Sequence, residues 1–493
     1  MPGAALLWGS GVCFMFLGMT GSNPTILNEI TAIVGAAHVA TGAEAAGWSQ
    51  DWPGLIRWQP LAVARPATTG EVAALVRLAN ARRLPIVPVS GNTNLVKGTV
   101  AEGALMLSLD RMSAIREIRA EARVTVVEAG VILASLHAAA AEQDLIFPLS
   151  FGARGSAMVG GVLSTNAGGS NVLRYGNTRD LCLGLEVVTP TGEVMNLMSA
   201  LHKNNSGYDL RHLMIGAEGT LGIITAAVLK LFPRPRAYAT AMVAVPSVGA
   251  ALRLLHRLQD ETGGAVEAFE YMPRSFLAAL LQRFPQMRPP FEKPYDVNVL
   301  VELGARAPRD VTPDATGAVP ISAHLEAVLA GFYEEGLILD AVVAQSEAQR
   351  AEIWARREAS AQILRVRKPV VENDIAVATD RMEELIARIQ SVSQAIDPDI
   401  ENTGVAHLGD GNLHYVGWPS QDDPALCRAV QEAVEREVIA LGGSFSAEHG
   451  IGLSKLPAMA AHKDPAALAM MRAIKAAVDP NGIMNPGKLI PDQ

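Results

Sequence analysis

Residues 149–169 read LSFGARGSAMVGGVLSTNAGG, with glycine at 152, 155, 160, 161, 168 and 169 and Ser, Thr and Asn among them. The stretch holds two polar glycine segments, Gly152–Ser156 and Gly160–Gly169. Two more lie on either side, Pro88-Val-Ser90-Gly91-Asn92-Thr93-Asn94 and Glu218-Gly219-Thr220-Leu-Gly222-Ile223. Such loops bare successive backbone N–H groups and form concave anion sites. Any one of them reads more simply as a tight turn, but four in one domain point to a pyrophosphate held by backbone. No GxGxxG sits on a strand-to-helix turn and no GxxxxGK[ST] occurs, which disfavours a Rossmann NAD site and excludes a P-loop.

The length of 493 residues suggests two or three domains. Apolar residues at 49% against 18% charged exclude a largely disordered chain. The formal charge of −9 leaves no basic stripe for a nucleic acid. Cys13, Cys182 and Cys427 are far apart, so no disulfide framework or Cys-rich metal site is expected. Residues 4–19 are mostly apolar, and the first charged side chain is Glu29. Three readings of that segment stand open: Met19 as the true start, a weak anchor or signal, or a buried N-terminal segment. The expected location is cytoplasmic, with weak membrane association through the N-terminus left open.

Short apolar runs at 61–65 and 86–89 flank a helix that Thr68 and Glu71 would cap, giving a βαβ unit. Further strands are expected at 124–128, 183–189 and 222–231. After Phe232-Pro233-Arg234-Pro235 the pattern changes. Strands such as 296–303 alternate with long helices at 321–335, 346–365 and 381–396, which reads as an α+β second domain.

Two histidines flank a turn in Val405-Ala-His407-Leu-Gly409-Asp410-Gly411-Asn412-Leu-His414. If the chain reverses there, His407 and His414 face each other across a hairpin. Ser446-Ala-Glu448-His449-Gly450 adds a carboxylate and another imidazole. His407, His414 and Glu448 would make a His₂Glu metal set with an open position, leaving His449 as a base. Each His could instead cap or pack a turn, and spacing alone does not decide.

Together these segments resemble the FAD-dependent D-2-hydroxy-acid dehydrogenases of the vanillyl-alcohol-oxidase superfamily. The motifs are VSGNTNLVKG (89–98), residues 149–169, LRYGNTRDLCLGLEVVTPTGEV (173–194), NNSGYDLRHLMIGAEGTLGIIT (204–225), IWARRE (353–358), AHLGDGNLH (406–414), SAEHGIG (446–452) and DPNGIMNPGKLIP (479–491). The resemblance implies an α+β protein with an N-terminal segment (1–54) and a PCMH-type FAD-binding domain of two α/β subdomains (55–236). A substrate or cap domain (237–440) and a C-terminal segment returning to the flavin (441–493) follow. It implies FAD against Pro88, Ser90, Gly91, Asn92, Thr93, Asn94, Gly155, Ser156, Gly160, Gly161, Thr165, Asn166, Gly219, Gly222 and Ile223. No His lies in 90–94, so the FAD is expected to be non-covalent. The resemblance further implies a divalent metal, usually zinc, on His407, His414 and Glu448, with His449 as base. Arg357 would hold the carboxylate of a 2-hydroxy acid.

The implied chemistry moves a hydride from C2 to the flavin and the hydroxyl proton to His449, with the metal polarising the hydroxyl. The electron acceptor stays open between an electron-transfer flavoprotein, a cytochrome and a quinone, and so does a homodimer. Two departures from the family bear on the substrate: Glu372 stands where many members carry Lys, and Val416 where many carry Asn. A preference for D-2-hydroxy acids with a neutral side chain follows, unless Arg365, Arg367 or Lys368 takes over the Lys role. The rival readings are an oxidase of the same superfamily, a metal-dependent hydrolase built on the His/Glu cluster, and a catalytically silent flavin-binding protein.

Overall fold

Three larger sheets and one two-stranded pair carry the described residues, and the order of their strands explains how distant motifs meet. A computed structural model describes residues 24–492 apart from 316, 318 and 366. The segment 4–19, with its three readings, lies outside the described residues. Among the described residues no helix is long and apolar enough to cross a membrane.

The first sheet contains β1 (Val39–Ala40), β2 (Ala62–Ala64), β3 (Ile86–Val89) and β4 (Leu105–Ser108) in the order β1-β2-β4-β3. β2 and β3 are both parallel to β4, so the βαβ crossover skips one strand. Its helix, Thr69–Arg82, starts where the Thr68 side chain accepts the Glu71 N–H. The Glu71 carboxylate reaches back to the Ala67 N–H, one residue beyond a standard capping box. Val72, Leu75, Val76 and Ala79 recur at helical spacing and are fully buried against the sheet.

The second sheet is antiparallel. Its strands β5 (Ile115–Arg119) and β6 (Val124–Glu128) are followed by β7 (Leu145–Ile146), which stands apart. β8 (Cys182–Val188), β9 (Val194–Leu197) and β10 (Ile223–Lys230) complete the order β5-β6-β10-β8-β9. β11 (Phe232–Pro233) pairs with β7. The expected glycine loop at 160–169 is helical over Val159–Thr165. The helix packs tightly there: a Cβ on Gly160 would lie 2.8 Å from the Ala129 methyl.

The third sheet has seven antiparallel strands: β12 (Ala237–Val245), β13 (Val266–Pro273), β14 (Val297–Ala305), β15 (Asp340–Val343), β16 (Val371–Ala376), β17 (Glu401–His407) and β18 (Asn412–Trp418). Their order is β15-β12-β14-β13-β17-β18-β16. One face covers the largest apolar core, under helices Val248–Thr262, Pro320–Glu334 and Met382–Ile396. The other face meets helix Glu347–Glu358, and the helix expected over 346–365 divides there, resuming at Ser360–Leu364.

The C-terminal segment joins two of these sheets. Ser444 bridges Ala376 of β16, and Met484 bridges Ile86 of β3. Between them Leu453 and Ser454 donate their N–H groups to the Val96 carbonyl.

Candidate functional site

A cavity of about 1300 Å³ lies between the glycine segments and the third sheet. It exceeds the usual range of drug-sized pockets and suits a dinucleotide plus a small substrate. Residues 88 and 90–94 line it, as do Gly160, Gly161, Thr165, Gly219, Gly222 and Ile223. Gly155, Ser156 and Asn166 do not line it. The Asn166 side chain instead accepts the Arg179 N–H. Asn92 and Asn94 reach the wall, but their amides also shape their own loop: Asn92 bonds Gln50 and Thr99, and Asn94 accepts from Val96 and Gly98.

One wall atom was not foreseen. Asn485 is buried, its amide nitrogen donates to the Gly98 and Glu218 carbonyls, and its Oδ1 has no partner. A buried acceptor beside the cavity is matched by a ligand that brings an N–H or O–H. The residues present therefore fit FAD, which carries both.

At the other end of the cavity stand the histidines. The β17–β18 register pairs His407 with Asn412 and His414 with Val405, so the two histidines are diagonal rather than opposite, with ring centroids 5.4 Å apart. Glu448 lies between them: Oε1 is 3.8 Å from His407 Nε2 and Oε2 is 3.8 Å from His414 Nε2. Two imidazoles and a carboxylate are donors that suit a divalent ion, and the two His–Glu separations are a little longer than the roughly 3.4 Å between ligand atoms of a tetrahedral zinc. A second grouping, Asp374, His414, Glu448 and His449, has ligand atoms within 4.8 Å of one another. In it Asp374 already accepts the backbone N–H groups of Glu448 and His449 and the Asn412 amide, so His414, Glu448 and His449 are its freer donors. Glu448 also meets the glycine segment, since a Cβ on Gly168 would lie 2.8 Å from its Oε1. A side chain at 168 would push the Glu448 carboxylate from this position.

Two carboxylates that the sequence reading passed over organise this cluster. Glu270 pairs with His407 across β13 and β17, and its Oε1 is 2.8 Å from His407 Nδ1. Its other oxygen accepts Arg357 Nε at 2.7 Å. Asp374 lies 3.6 Å from His414 Nδ1, 3.4 Å from His449 Nδ1 and 3.6 Å from Lys455 Nζ. Carboxylates behind imidazoles fix the ring orientation and tautomer.

Electrostatics follow from these neighbours. Burial opposes charge on His407, but Glu270 and Glu448 outweigh it and lift its pKa to about 9. Burial likewise opposes charge on Glu270, and His407 with Arg357 overcomes it, holding the carboxyl at about 2. Burial pushes Glu448 up to about 7 against the pull of His407. His414 and His449 are both lowered, chiefly by burial, with Asp374 opposing in each case.

Arg357 lines the cavity from helix Glu347–Glu358, where Arg350, Trp354 and Arg357 share one face. Arg350 and Trp354 bind Glu302 of β14, and Arg357 binds Glu270. Arg357 is therefore not wholly free: Nε is taken, Nη1 is 3.3 Å from Ser360 Oγ, and Nη2 is 3.5 Å from His407 Nε2. Its Nη1–Nη2 edge is the one left for an anion.

Comparison with known proteins agrees with this layout. Residues 60–198 match the FAD binding domain, and residues 234–489 match the C-terminal domain of FAD linked oxidases. A D-2-hydroxyglutarate dehydrogenase of Xanthomonas citri pv. viticola is 37% identical over 95% of this chain and 97% of its own. The mitochondrial D-2-hydroxyglutarate dehydrogenase of Bos taurus is 34% identical over 90% of this chain and 79% of its own. Among solved structures, p-cresol methylhydroxylase covers 96% of this chain and 98% of its own with a TM-score of 0.74 at 17% identity. An alkyldihydroxyacetonephosphate synthase covers 94% of this chain and 84% of its own at 0.69 and 17%. Those two likenesses show the fold, a PCMH-type FAD-binding architecture. On the sequence matches, the chain belongs to the FAD-linked oxidase family and is an FAD-dependent enzyme of the D-2-hydroxy-acid dehydrogenase type.

Proposed function

We propose that this enzyme oxidises a D-2-hydroxy acid to the 2-oxo acid at the cluster around Glu448. The observation that carries the reading is the position of Glu448 between His407 and His414, on the same cavity as the glycine segments. When bound, FAD supplies a two-electron acceptor for the C2 hydride, and a divalent ion on His407, His414 and Glu448 supplies a Lewis acid for the hydroxyl.

The chain's own groups do the rest. The Nη1–Nη2 edge of Arg357 takes the substrate's C1 carboxylate and so orients C2. Asp374 faces His449 Nδ1 and leaves Nε2 to accept the hydroxyl proton. Burial keeps His449 neutral and ready for that proton. Glu270 holds His407 and Arg357 together, so the groups on either side of the substrate move as one unit. A hydrolase that uses the His/Glu cluster alone leaves the FAD-binding domain without a role.

The test is anaerobic mixing of the FAD-loaded enzyme with D- and L-2-hydroxy acids. Bleaching of the flavin by a D-acid, with the 2-oxo acid formed in equal amount, supports the reading. Flavin that stays oxidised with every acid rejects it. Oxygen uptake without an added acceptor would instead support the oxidase reading.

A further inference from the structure

Sheet register shows what lies beside the histidines. β16 and β18 pair Asp374 with His414 and Glu372 with Val416. β17 and β18 pair Val405 with His414 and Thr403 with Val416. Side chains two apart on a strand share a face and lie roughly 7 Å apart along it. The face that presents Asp374, His414 and Val405 therefore presents Glu372 and Val416 in the next row. Both residues line the cavity, as do Leu364 and Trp354. A substrate whose C1 carboxylate is on Arg357 and whose hydroxyl is at the histidines extends its side chain along this wall.

The charges of that wall are already balanced. Arg357, Lys455 and Arg365 line the cavity on this side. Arg357 is bound to Glu270 at 2.7 Å, Lys455 lies 3.6 Å from Asp374, and Arg365 Nε is bound to Glu372 at 2.7 Å. Neighbouring basic residues offer no replacement: Arg367 is held by Glu401 and stacks on Trp418, and Lys368 is exposed and off the cavity wall. A second carboxylate placed here would meet Glu372, whose charge already offsets that of Arg365. An apolar side chain would meet the apolar edge formed by Val416 and Leu364 and bring no charge to desolvate.

From this layout we propose that the Arg365–Glu372 pair and Val416 form the side-chain end of the substrate site and select D-2-hydroxy acids with an uncharged side chain. This rests on the reading of Arg357 and the histidine cluster above and adds the substrate class. It sets the enzyme apart from the Xanthomonas and bovine relatives, which are named for a diacid. Glu372 acts here by neutralising Arg365, and removing its charge releases that guanidinium.

The experiment compares kcat/KM for D-2-hydroxyvalerate and D-2-hydroxyglutarate, which have the same carbon chain and differ by one carboxylate. The native enzyme should favour D-2-hydroxyvalerate by about tenfold or more, the scale of one unmatched charge at a binding wall. Glu372→Gln should shift the ratio toward the diacid by about tenfold, mostly through KM, because Arg365 becomes available. Arg365→Met should shift it further from the diacid, since Glu372 then stands alone. Native preference for the diacid overturns the proposal even if Glu372→Gln does not fold, and an unchanged ratio in a folded, FAD-loaded Glu372→Gln overturns it equally. In both cases the flavin is still reduced by a D-2-hydroxy acid, so the reading beneath survives. If no 2-hydroxy acid reduces the flavin, the reading and this proposal fall together.

Discussion

The Glu218 carboxylate accepts the backbone N–H of Gly452 at 2.8 Å and that of Ile451 at 2.7 Å. More than two hundred residues of chain separate the partners. The bond ties the fourth glycine segment to the turn that carries Glu448 and His449, so the flavin-side loop and the proton-accepting side share one support. Glu218 is buried, and its backbone carbonyl also receives the Asn485 amide.

Replacing Glu218 by Gln removes the charge and one of two acceptors while keeping the shape. The orphaned N–H is buried, and the expected loss is about 2 kcal/mol of stability. Amide exchange at residues 449–455 should quicken, and FAD should bind several-fold more weakly. Unchanged exchange in that segment would show that the C-terminal strands hold it without Glu218.

Glu270→Gln tests the link between Arg357 and His407. Glutamine can bond one of them well but not both, because its nitrogen cannot accept from Arg357 Nε. Metal affinity and turnover should each fall roughly 10–100-fold, as for other partners behind a ligating His. KM for the hydroxy acid should rise as Arg357 loses its anchor. FAD content should not change, and a variant that loses flavin would place Glu270 in a different role.

Glu270 also shows what the sequence made legible and what it hid. Strands such as Ile86–Val89 and Val124–Glu128 were read residue for residue, because short runs of β-branched residues between turn formers leave little choice. His407, His414, Glu448 and His449 were visible because each lies beside a Gly-rich turn. Glu270 lies in VEAFEYMP with no turn beside it, and its partners are 87 and 137 positions away. The β13–β17 pairing brings His407 to it, and the helix Glu347–Glu358 on the same face brings Arg357. A local signal existed nonetheless: two glutamates inside an otherwise apolar strand require buried partners. The helix at 159–165 was hidden for the opposite reason, since paired glycines imitate a loop.

His449→Ala should leave both FAD and metal in place and lower kcat by roughly 10²–10⁴, the usual contribution of a positioned base. Asp374→Asn should behave differently. It keeps an oxygen for the backbone N–H groups of Glu448 and His449 but removes the charge behind His414 and His449. We expect a loss of roughly 10–100-fold in kcat together with weaker metal binding. Loss of metal from His449→Ala and not from Asp374→Asn would reverse the roles assigned to the two residues.

Lys488 gives a pH dependence of stability that is separate from the site. Its side chain is buried, its ammonium donates to the Val100 carbonyl, and burial lowers its pKa from 10.5 to about 8. Between these values the unfolded chain binds more protons at this residue than the folded one, so stability rises with pH. The gain is fully present above pH 10.5 and is lost as the pH falls through about 8. The fall from 10.5 to about 8 corresponds to about 3 kcal/mol over that window. Lys488→Met fills similar space, has no proton to exchange and leaves the Val100 carbonyl without its donor. Unfolding the two proteins in urea at pH 7.5, 9 and 10.5 should therefore show the native chain gaining on the variant by a large part of that amount. A difference that stays constant with pH would mean that Lys488 titrates alike in both states, and that its ammonium reaches water in the folded protein.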